Sequence, residues 1–554
     1  MRSNKLLALA LGGLLVAAAA CGGSSNGSSN NNGNGKTGGT LVFGTSADPV
    51  SMDGAYVSDG ESLRVVDQIF ETLVTTKAGG TDPEPKLAES YTPSADGKVW
   101  TFKLRKNVKF HDGTPFNAAA VCFNFDRWYN FKGIQQSPSV SYYWSTVFGG
   151  FKNTTNADVP KTSLYASCQA SDDSTAVVNL TSPSASFIPG LAVPAFSIAS
   201  PDALTKYNAD KVSGTGDSPK FDGTFGTQHP VGTGPFKLES FTPGDKLVLA
   251  RNDDYWGSKA KLDKVIFKPI AKGTDRRQAL ESGDIQGYDF VDPADVDALK
   301  SGFKVMQRPA FNVGYVGFNQ KMAPLNNLKI RQAIAHALNR DALVKAKYPP
   351  GAQVAKEFMP PQLFGYAADV TDYDYNVDTA KQLIKDSGVA AKDLTLTFWY
   401  PTDVSRPYMP DPKANWEAFK SDLEAVGFKI IAKSAPWRPD YNQKVNNGAA
   451  QMYLLGWTGD FGDPDNFVGT FFRTSQPAWG FNNPEIFSAL EGARTESDLG
   501  KRTSDYQAAN KLIMDFLPGV PYVHTQPSLA FNKNVNGYVP SPVSLESFAT
   551  VTVG

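Results

Sequence analysis

The sequence predicts an α/β protein of several domains, and three observations lead to that class. The chain has 554 residues, which allows roughly three to five domains of about 100–200 residues each. Apolar residues alternate with period two in the first half, as in residues 99–105, which is typical of strands. From about residue 312, runs with helix spacing alternate with short strand-like runs, which is typical of βαβ units.

The individual elements can be placed from their spacing and their caps. Residues 39–45 and 235–270 read as strand-rich, whereas 75–230 reads as mixed with many loops. One apolar helix face joins Ile330, Ala333, Ile334, Ala337 and Leu338. Asp378 is expected to cap a helix that Gly388 ends. A further helix face joins Trp416, Phe419, Leu423 and Val426, closed by Gly427, and strands are expected at 394–400, 428–432 and 451–457.

Charge and motif content exclude several classes of function. Lys and Arg number 54 against 55 Asp and Glu, so the chain lacks the basic excess of a nucleic-acid-binding protein. The sequence has four histidines and no G-x-S-x-G, HExxH, CxxC or P-loop pattern. We therefore expect no enzyme, no cofactor and no metal, while a secreted hydrolase stays open as the rival class.

The N-terminus has the pattern of an exported lipoprotein. Arg2 and Lys5 precede an apolar run over residues 6–20, too short to span a bilayer comfortably but suited to a signal peptide. The run ends in three alanines before Cys21, which resembles a lipobox. We expect a signal peptide over 1–20, a lipid on Cys21, and a flexible Gly/Ser/Asn linker over 21–38. An ordinary cleavage site with an incidental Cys21 is the alternative.

Two cysteines remain once Cys21 is set aside. An even pair in an oxidising compartment favours a disulfide between Cys122 and Cys168. Two buried free thiols are the alternative.

Two charged residues stand just beyond predicted strands of the α/β part. Arg406 follows the strand over 394–400, and Asp460 follows the strand over 451–457. Ligands of α/β domains bind beyond the carboxyl ends of strands. A guanidinium grips a carboxylate and a carboxylate accepts from an ammonium group, so the pair suits a zwitterion. Alternatively, both are surface charges or pair with other residues.

Asp460 belongs to a cluster of three carboxylates that can be sorted by position. Asp463 precedes Pro464, which favours the first position of a helix, so Asp463 reads as an N-cap. Asp465 then lies in the first turn, where negative charge suits the helix dipole. Asp460 has no such structural role and is the functional candidate. A calcium loop is the rival, although the Gly and distal Glu of an EF-hand are missing.

Several phrases of the chain resemble the bacterial extracytoplasmic solute-binding proteins of the peptide/nickel/opine ABC-importer family, family 5. RPY (406–408) followed by GWTGD (456–460) is more particular to its dipeptide binders. The phrases that mark the family in general are PKLAES (85–90), FKLRKNVKFHDG (102–113), VGTGPF (231–236), DYWG (254–257), NVGYVGFN (312–319) and IRQAI (330–334).

The resemblance implies a periplasmic-binding-protein-like fold of type II, cluster C. Two lobes would close on a hinge of two crossing segments near Phe311 and Ala530, with an extra mixed α/β domain. The implied ranges are 39–71 with 233–311 and 531–554 for domain I, 72–232 for domain II, and 312–530 for domain III.

The resemblance also implies roles for single residues. Asp460 would hold the α-ammonium group of a peptide and Arg406 its α-carboxylate. Trp457 would line the crevice, and Thr458 and Tyr408 in the same two loops are included as candidate ligand-binding residues.

Tyr142, Tyr143 and Trp144 match an aromatic patch of the second lobe that closes over the ligand in relatives. An ordinary aromatic core is the alternative for them.

The implied function is a lipid-anchored receptor on the outer, periplasmic face of a bacterial cell membrane. It would capture short peptides, dipeptides above all, and deliver them to an ABC permease, and we expect a monomer. A binder of another solute in the same fold, such as a longer peptide, a nickel chelate, haem or a sugar, is the alternative.

Overall fold

The structure, a computed structural model, describes residues 37–554 except 217 and 544. The predicted signal peptide, Cys21 and the predicted linker up to residue 36 lie outside the described residues. Across the part that is described, no helix combines the length and the apolar character needed to cross a membrane.

The strands are numbered here in chain order. They are β1 (Thr40–Thr45), β2 (Val74–Thr76), β3 (Pro83–Pro85), β4 (Ala88–Pro93), β5 (Val99–Leu104), β6 (Tyr165–Asp172), β7 (Thr175–Leu180), β8 (Val212–Thr215), β9 (Ser218–Phe221), β10 (Phe236–Thr242), β11 (Lys246–Arg251), β12 (Lys264–Pro269), β13 (Gly287–Tyr288), β14 (Lys304–Gln307), β15 (Asn312–Phe318), β16 (Thr395–Thr402), β17 (Lys429–Pro436), β18 (Met452–Thr458), β19 (Gly519–Val523), β20 (Ser528–Phe531), β21 (Val535–Asn536) and β22 (Thr552–Val553).

The α-helices are numbered in the same way. They are α1 (Gly60–Ile69), α2 (Ala118–Tyr129), α3 (Tyr142–Val147), α4 (Phe187–Leu191), α5 (Pro201–Lys206), α6 (Gly273–Ser282), α7 (Val296–Gly302), α8 (Leu328–Ala337), α9 (Arg340–Lys347), α10 (Val377–Asp386), α11 (Pro412–Ala425), α12 (Asn442–Asn446), α13 (Val468–Phe472), α14 (Pro484–Thr495) and α15 (Leu499–Phe516).

Three larger sheets organise the described residues. One has the order β10-β11-β12-β1-β13-β20-β14, a second β17-β16-β18-β15-β19, and a third β4-β5-β7-β6. They fall within the predicted domains I, III and II respectively, except that β20 (Ser528–Phe531) straddles the boundary placed between 530 and 531. The domain bounds themselves remain a proposal.

The buried apolar residues form two large clusters. The first is shared by the sheets of domains I and II, and the second fills domain III. Phe461 belongs in sequence to domain III but packs in the first cluster. The loop beyond β18 is therefore held by both lobes.

Helix α11 shows how local sequence builds the scaffold of the site. The Asp411 side chain caps it by accepting from the backbone N–H of Ala414 at 3.0 Å. Its buried face includes Trp416, Phe419 and Leu423, as the spacing predicts. The chain leaves the helix through Gly427 at φ +108°, a left-handed conformation that favours glycine.

One predicted cap is wrong. Helix α10 is capped by Asn376, whose side chain accepts from the backbone N–H of Thr379 at 2.9 Å. Asp378 lies inside the first turn instead. Asn and Asp are nearly equal as caps, so composition alone could not choose between two candidates two residues apart.

Two crossing segments join the sheets of domains I and III. The chain passes from β14 to β15 through Arg308 and returns from β19 to β20 through Thr525. The backbone N–H of Arg308 donates to Pro527 O at 2.9 Å, and that of Thr525 donates to Asn312 Oδ1 at 2.9 Å. This side-by-side arrangement fits a two-segment hinge near Phe311, whereas Ala530, the other predicted position, lies inside β20 and pairs with β13 and β14.

A buried ionic cluster anchors the first crossing segment. Arg308 Nε donates to Glu546 at 2.6 Å and its Nη1 donates to Asp289 at 2.5 Å. Arg64 Nη2 donates to the other Asp289 oxygen at 2.6 Å. Removing one partner of such a cluster leaves an uncompensated buried charge, which is strongly destabilising.

Cys122 of α2 and Cys168 of β6 are joined by a disulfide, with Cα atoms 5.1 Å apart. The bond ties α2 to β6, which is an edge strand of the four-stranded sheet of domain II.

Candidate ligand-binding site

The site begins at the carboxyl ends of two neighbouring parallel strands. β16 and β18 pair in parallel, with Phe398 opposite Met452. Arg406 and Asp460 each lie eight residues beyond that pair in sequence. Because parallel strands end at the same edge of a sheet, both loops emerge at one edge of domain III.

Asp460 is held by hydrogen bonds from both lobes. The Tyr143 hydroxyl of α3 donates to Asp460 Oδ1 at 2.8 Å. Within its own loop, Asn466 Nδ2 donates to Oδ2 at 3.4 Å, and the backbone N–H of Asp460 donates to Asn466 Oδ1 at 2.7 Å. Burial raises the pKa of Asp460 to about 6, although these bonds from Tyr143 and Asn466 favour the charged form.

No ion pair involves Asp460 among the residues that the structure describes. Its two neighbours differ in this respect. Asp463 receives two bonds from Arg502, at 2.6 and 2.8 Å, and Asp465 receives two from Arg473, at 2.8 and 2.7 Å. Asp460 is thus the carboxylate of the cluster that still lacks a cation.

The structural roles predicted for these neighbours are confirmed. Asp463 Oδ1 accepts from the backbone N–H of Asp465 and caps a short 3₁₀ helix, Pro464–Asn466. Guanidinium groups already bind both carboxylates, so these two side chains are not free to act as the ligands of a calcium loop. Over the described residues, no cluster of three or more His, Cys, Asp or Glu suits a metal ion.

Arg406 is the matching cation beyond β16. Its guanidinium lies over the Trp437 ring, 4.6 Å from the centroid, and its Nε is buried without a hydrogen-bond partner. The backbone N–H of Arg406 donates to Met409 O at 3.1 Å and that of Met409 donates back to Arg406 O at 2.9 Å. The turn fixes the loop and the ring orients the cation, but no described carboxylate forms an ion pair with it.

Aromatic side chains from the two lobes meet beside Asp460. Tyr142 and Trp457 have ring centroids 6.3 Å apart, and the rings of Tyr142 and Tyr143 are 5.0 Å apart. Trp457 Nε1 donates to Asn466 Oδ1 at 3.4 Å. Trp144, the third residue of the predicted aromatic patch, is buried in the domain II core instead, where its ring centroid lies 4.4 Å from that of Phe148.

Thr458 and Tyr408 are placed differently from each other. Thr458 is partly exposed at the end of β18, opposite Asn312. Tyr408 is only 6% exposed, and its carbonyl accepts from the hydroxyl of Tyr348 at 3.0 Å. A Cβ at Gly456 would overlap the Tyr408 ring. The Tyr408 side chain therefore packs the loop onto β18.

Two residues of the site were not predicted. Asn466 forms hydrogen bonds with the backbone and the side chain of Asp460. The Trp437 ring stacks against the Arg406 guanidinium. Trp437 directly follows β17, which is parallel to β16. The rule that ligands meet the carboxyl ends of parallel strands could have identified it.

Comparison with known proteins decides the family. Residues 82–479 match the model of the bacterial extracellular solute-binding proteins, family 5 Middle. The chain belongs to this family. Membership confirms the resemblance, the periplasmic-binding-protein-like α/β fold, and the prediction of a substrate-binding protein of an ABC importer that is not an enzyme.

Individual relatives extend over nearly the whole chain. A dipeptide-binding protein of Escherichia coli (strain K12) is 31% identical over 93% of this chain and 94% of its own. Heme-binding protein A of Haemophilus influenzae is 30% identical over 93% of this chain and 92% of its own. The solved periplasmic binding protein DppA of Helicobacter pylori, in complex with the peptide STSA, superposes with a TM-score of 0.76 at 29% identity, covering 94% of this chain and 98% of that one.

Proposed function

We propose that this protein captures short peptides, dipeptides above all, by their two charged termini and delivers them to an ABC permease. The observation that carries the proposal is a pair of opposite charges, Asp460 and Arg406. Each lies just beyond one of two adjacent parallel strands, and each lacks an ion-pair partner in the described part of the chain.

The physics of the site favours a ligand with both charges. An α-ammonium group would give Asp460 the ion-pair partner that it lacks within the described protein. Tyr143 would keep its hydrogen bond to the same carboxylate. The guanidinium of Arg406, oriented by Trp437, would grip the α-carboxylate. A ligand with a blocked terminus leaves one charge of this partly buried site without a partner, so it should bind less tightly by at least about 1.4 kcal/mol.

We assign the remaining walls from the same contacts. Tyr142 and Trp457 would cover the ligand from opposite lobes, so that closure expels water from around it. Thr458 would border the Asp460 side, and Tyr408 would hold the Arg406 loop in place. Two relatives named above support a peptide as ligand, and the named haem binder is the rival that experiments must separate.

The test combines blocked peptides with variants of both charges. Calorimetry would compare Ala-Ala, N-acetyl-Ala-Ala and Ala-Ala amide on the wild type, Asp460→Asn and Arg406→Gln. Each variant should weaken Ala-Ala more than tenfold, equivalent to about 1.4 kcal/mol. In Asp460→Asn, acetylation should cost nothing further, and in Arg406→Gln, amidation should cost nothing further.

A matched control is Asp297→Asn, an exposed carboxylate paired only with Lys300 in the described structure. It should bind all three peptides as the wild type does. Unchanged Ala-Ala affinity in both site variants, or haem binding with no response to dipeptides, would refute the assignment.

We propose further that the protein is a monomer tethered by a lipid on Cys21 to the outer face of the cell membrane. The apolar run and the alanines before Cys21 support the anchor. Expressed in a bacterium fed an alkyne fatty acid, the wild type should be labelled and sediment with membranes, whereas Cys21→Ser should be unlabelled. Label that persists in Cys21→Ser would exclude this anchor, and light scattering would test the monomer.

A further inference from the structure

One side chain, Asn312 at the start of β15, joins the two crossing segments to each other. Its amide pairs with the backbone of Thr525 in the second segment: Nδ2 donates to Thr525 O at 3.0 Å, and Oδ1 accepts from the Thr525 N–H at 2.9 Å. The exposed fraction is 1% for Asn312 and 0% for Thr525. This two-bond pairing fixes the direction of the amide, because one of its ends must donate and the other accept. Thr525 is therefore held at a fixed place beside the start of β15.

The hydroxyl of Thr525 reaches the loop that contains Arg406. Its Oγ1 lies 2.9 Å from Pro407 O and 3.1 Å from Asn312 Oδ1. A hydroxyl has a single proton to donate, and Asn312 Oδ1 already accepts from a backbone N–H. Among the described residues, Thr525 is the only donor to Pro407 O. The hydroxyl proton therefore belongs to the bond with Pro407, which fastens the residue next to Arg406 to the second crossing segment.

The loop that contains Asp460 is fastened to the first crossing segment. The backbone N–H of Gly459 donates to Phe311 O at 2.9 Å. A Cβ at Gly459 would overlap the Phe311 ring, so the absence of a side chain allows this close approach. Each charge-bearing residue is thus one position away from a bond to the crossing segments. These segments help to set the spacing of the two charges.

We propose that Thr525 is a positioning residue for the α-carboxylate of the ligand, because its hydroxyl holds the Arg406 loop where the guanidinium can grip that group. The inference rests on the proposed function, in which Arg406 binds the carboxylate. Without the hydroxyl, Pro407 O loses its donor and the loop leaves its binding position in part of the molecules. The affinity of a ligand that uses Arg406 then falls with the fraction of molecules that keep the loop in place. A ligand that does not use Arg406 keeps its affinity.

The experiment is calorimetry with Ala-Ala and Ala-Ala amide on the wild type, Thr525→Val and Thr525→Ser. Valine keeps the branched shape without the hydroxyl, and serine keeps the hydroxyl without the methyl group. Thr525→Val should weaken Ala-Ala about fivefold, the net contribution of one hydrogen bond, and leave Ala-Ala amide unchanged. Thr525→Ser should keep the wild-type ratio of the two affinities. Thr525→Ala removes the same hydroxyl and replaces Thr525→Val if that variant does not fold.

Thr72→Val is the control, since it also removes a buried hydroxyl that donates to a backbone carbonyl, that of Val74, outside both charged loops. It should keep the wild-type ratio. The inference is overturned, and the proposed function stands, if Arg406→Gln removes the preference for a free carboxylate while Thr525→Val keeps it. Equal losses for both ligands in Thr525→Val, or the same loss in Thr525→Ser, also overturn it. If the wild type binds Ala-Ala no better than its amide, both the inference and the proposed function are overturned.

Discussion

The raised pKa of Asp460 makes peptide binding sensitive to mild acid. Only the ionised carboxylate attracts an ammonium group, so protonation of the free protein competes with the ligand. With a pKa of about 6, the affinity should fall about tenfold between pH 7 and pH 5. If the carboxyl had the ordinary Asp pKa, the affinity for the peptide would hardly change between pH 7 and pH 5.

The ligand does not titrate strongly in this window, because a peptide amine has a pKa of about 8 and a carboxylate one of about 3.5. Burial keeps the pKa of His111 and of His524 low, at about 4, so both stay neutral above pH 5. Asp67 in domain I also has a pKa raised by burial to about 6. A control must therefore isolate Asp460.

The assay is calorimetry with Ala-Ala at pH 7, 6 and 5, on the wild type and on Asp460→Asn. The wild type should lose affinity toward acid and the variant, although weak throughout, should not. An affinity of the wild type that stays constant from pH 7 to pH 5 would refute the link between burial, charge and binding. An equal loss in Asp460→Asn would assign the effect to another group.

Further predictions concern single contacts. Tyr143→Phe removes a hydrogen bond that favours the ionised form of Asp460, so the midpoint of the pH titration of binding should rise; an unmoved midpoint contradicts this. Gly456→Ala crowds the tyrosine ring packed on it and should cost about 1–3 kcal/mol in urea unfolding; full stability contradicts the packing. Replacing Cys122 and Cys168 by serine should cost about 2–4 kcal/mol, measured by the same unfolding; a smaller loss contradicts a stabilising disulfide.

Local patterns predicted the scaffold of domain III. The apolar face of α11, its closure at Gly427 and the strands on both sides of it are encoded by neighbours in sequence. Asp460 emerged by elimination, because Asp463 had a visible role as an N-cap and Asp465 a place in the first turn of the helix, both of which the structure confirms. These deductions needed no knowledge of how distant segments meet.

Contacts between distant segments could not be predicted in the same way. Tyr143 and Asp460 are 317 residues apart, and no periodicity or cap relates the two lobes. The stacking of Arg406 on Trp437 depends on the order of strands in the sheet. Tyr408 stood beside the predicted cation in sequence, yet its ring is buried because β18 offers Gly456 as a flat surface.

A crystal structure of the protein with Ala-Ala tests the central claim most directly. Two extended residues span about 7 Å, so with a contact of about 3 Å at each end a dipeptide can join two charge partners only if they lie within about 13 Å of each other. The account predicts the ammonium nitrogen about 3 Å from the Asp460 carboxylate and the peptide carboxylate about 3 Å from the Arg406 guanidinium. Density that places either terminus on other residues would contradict it.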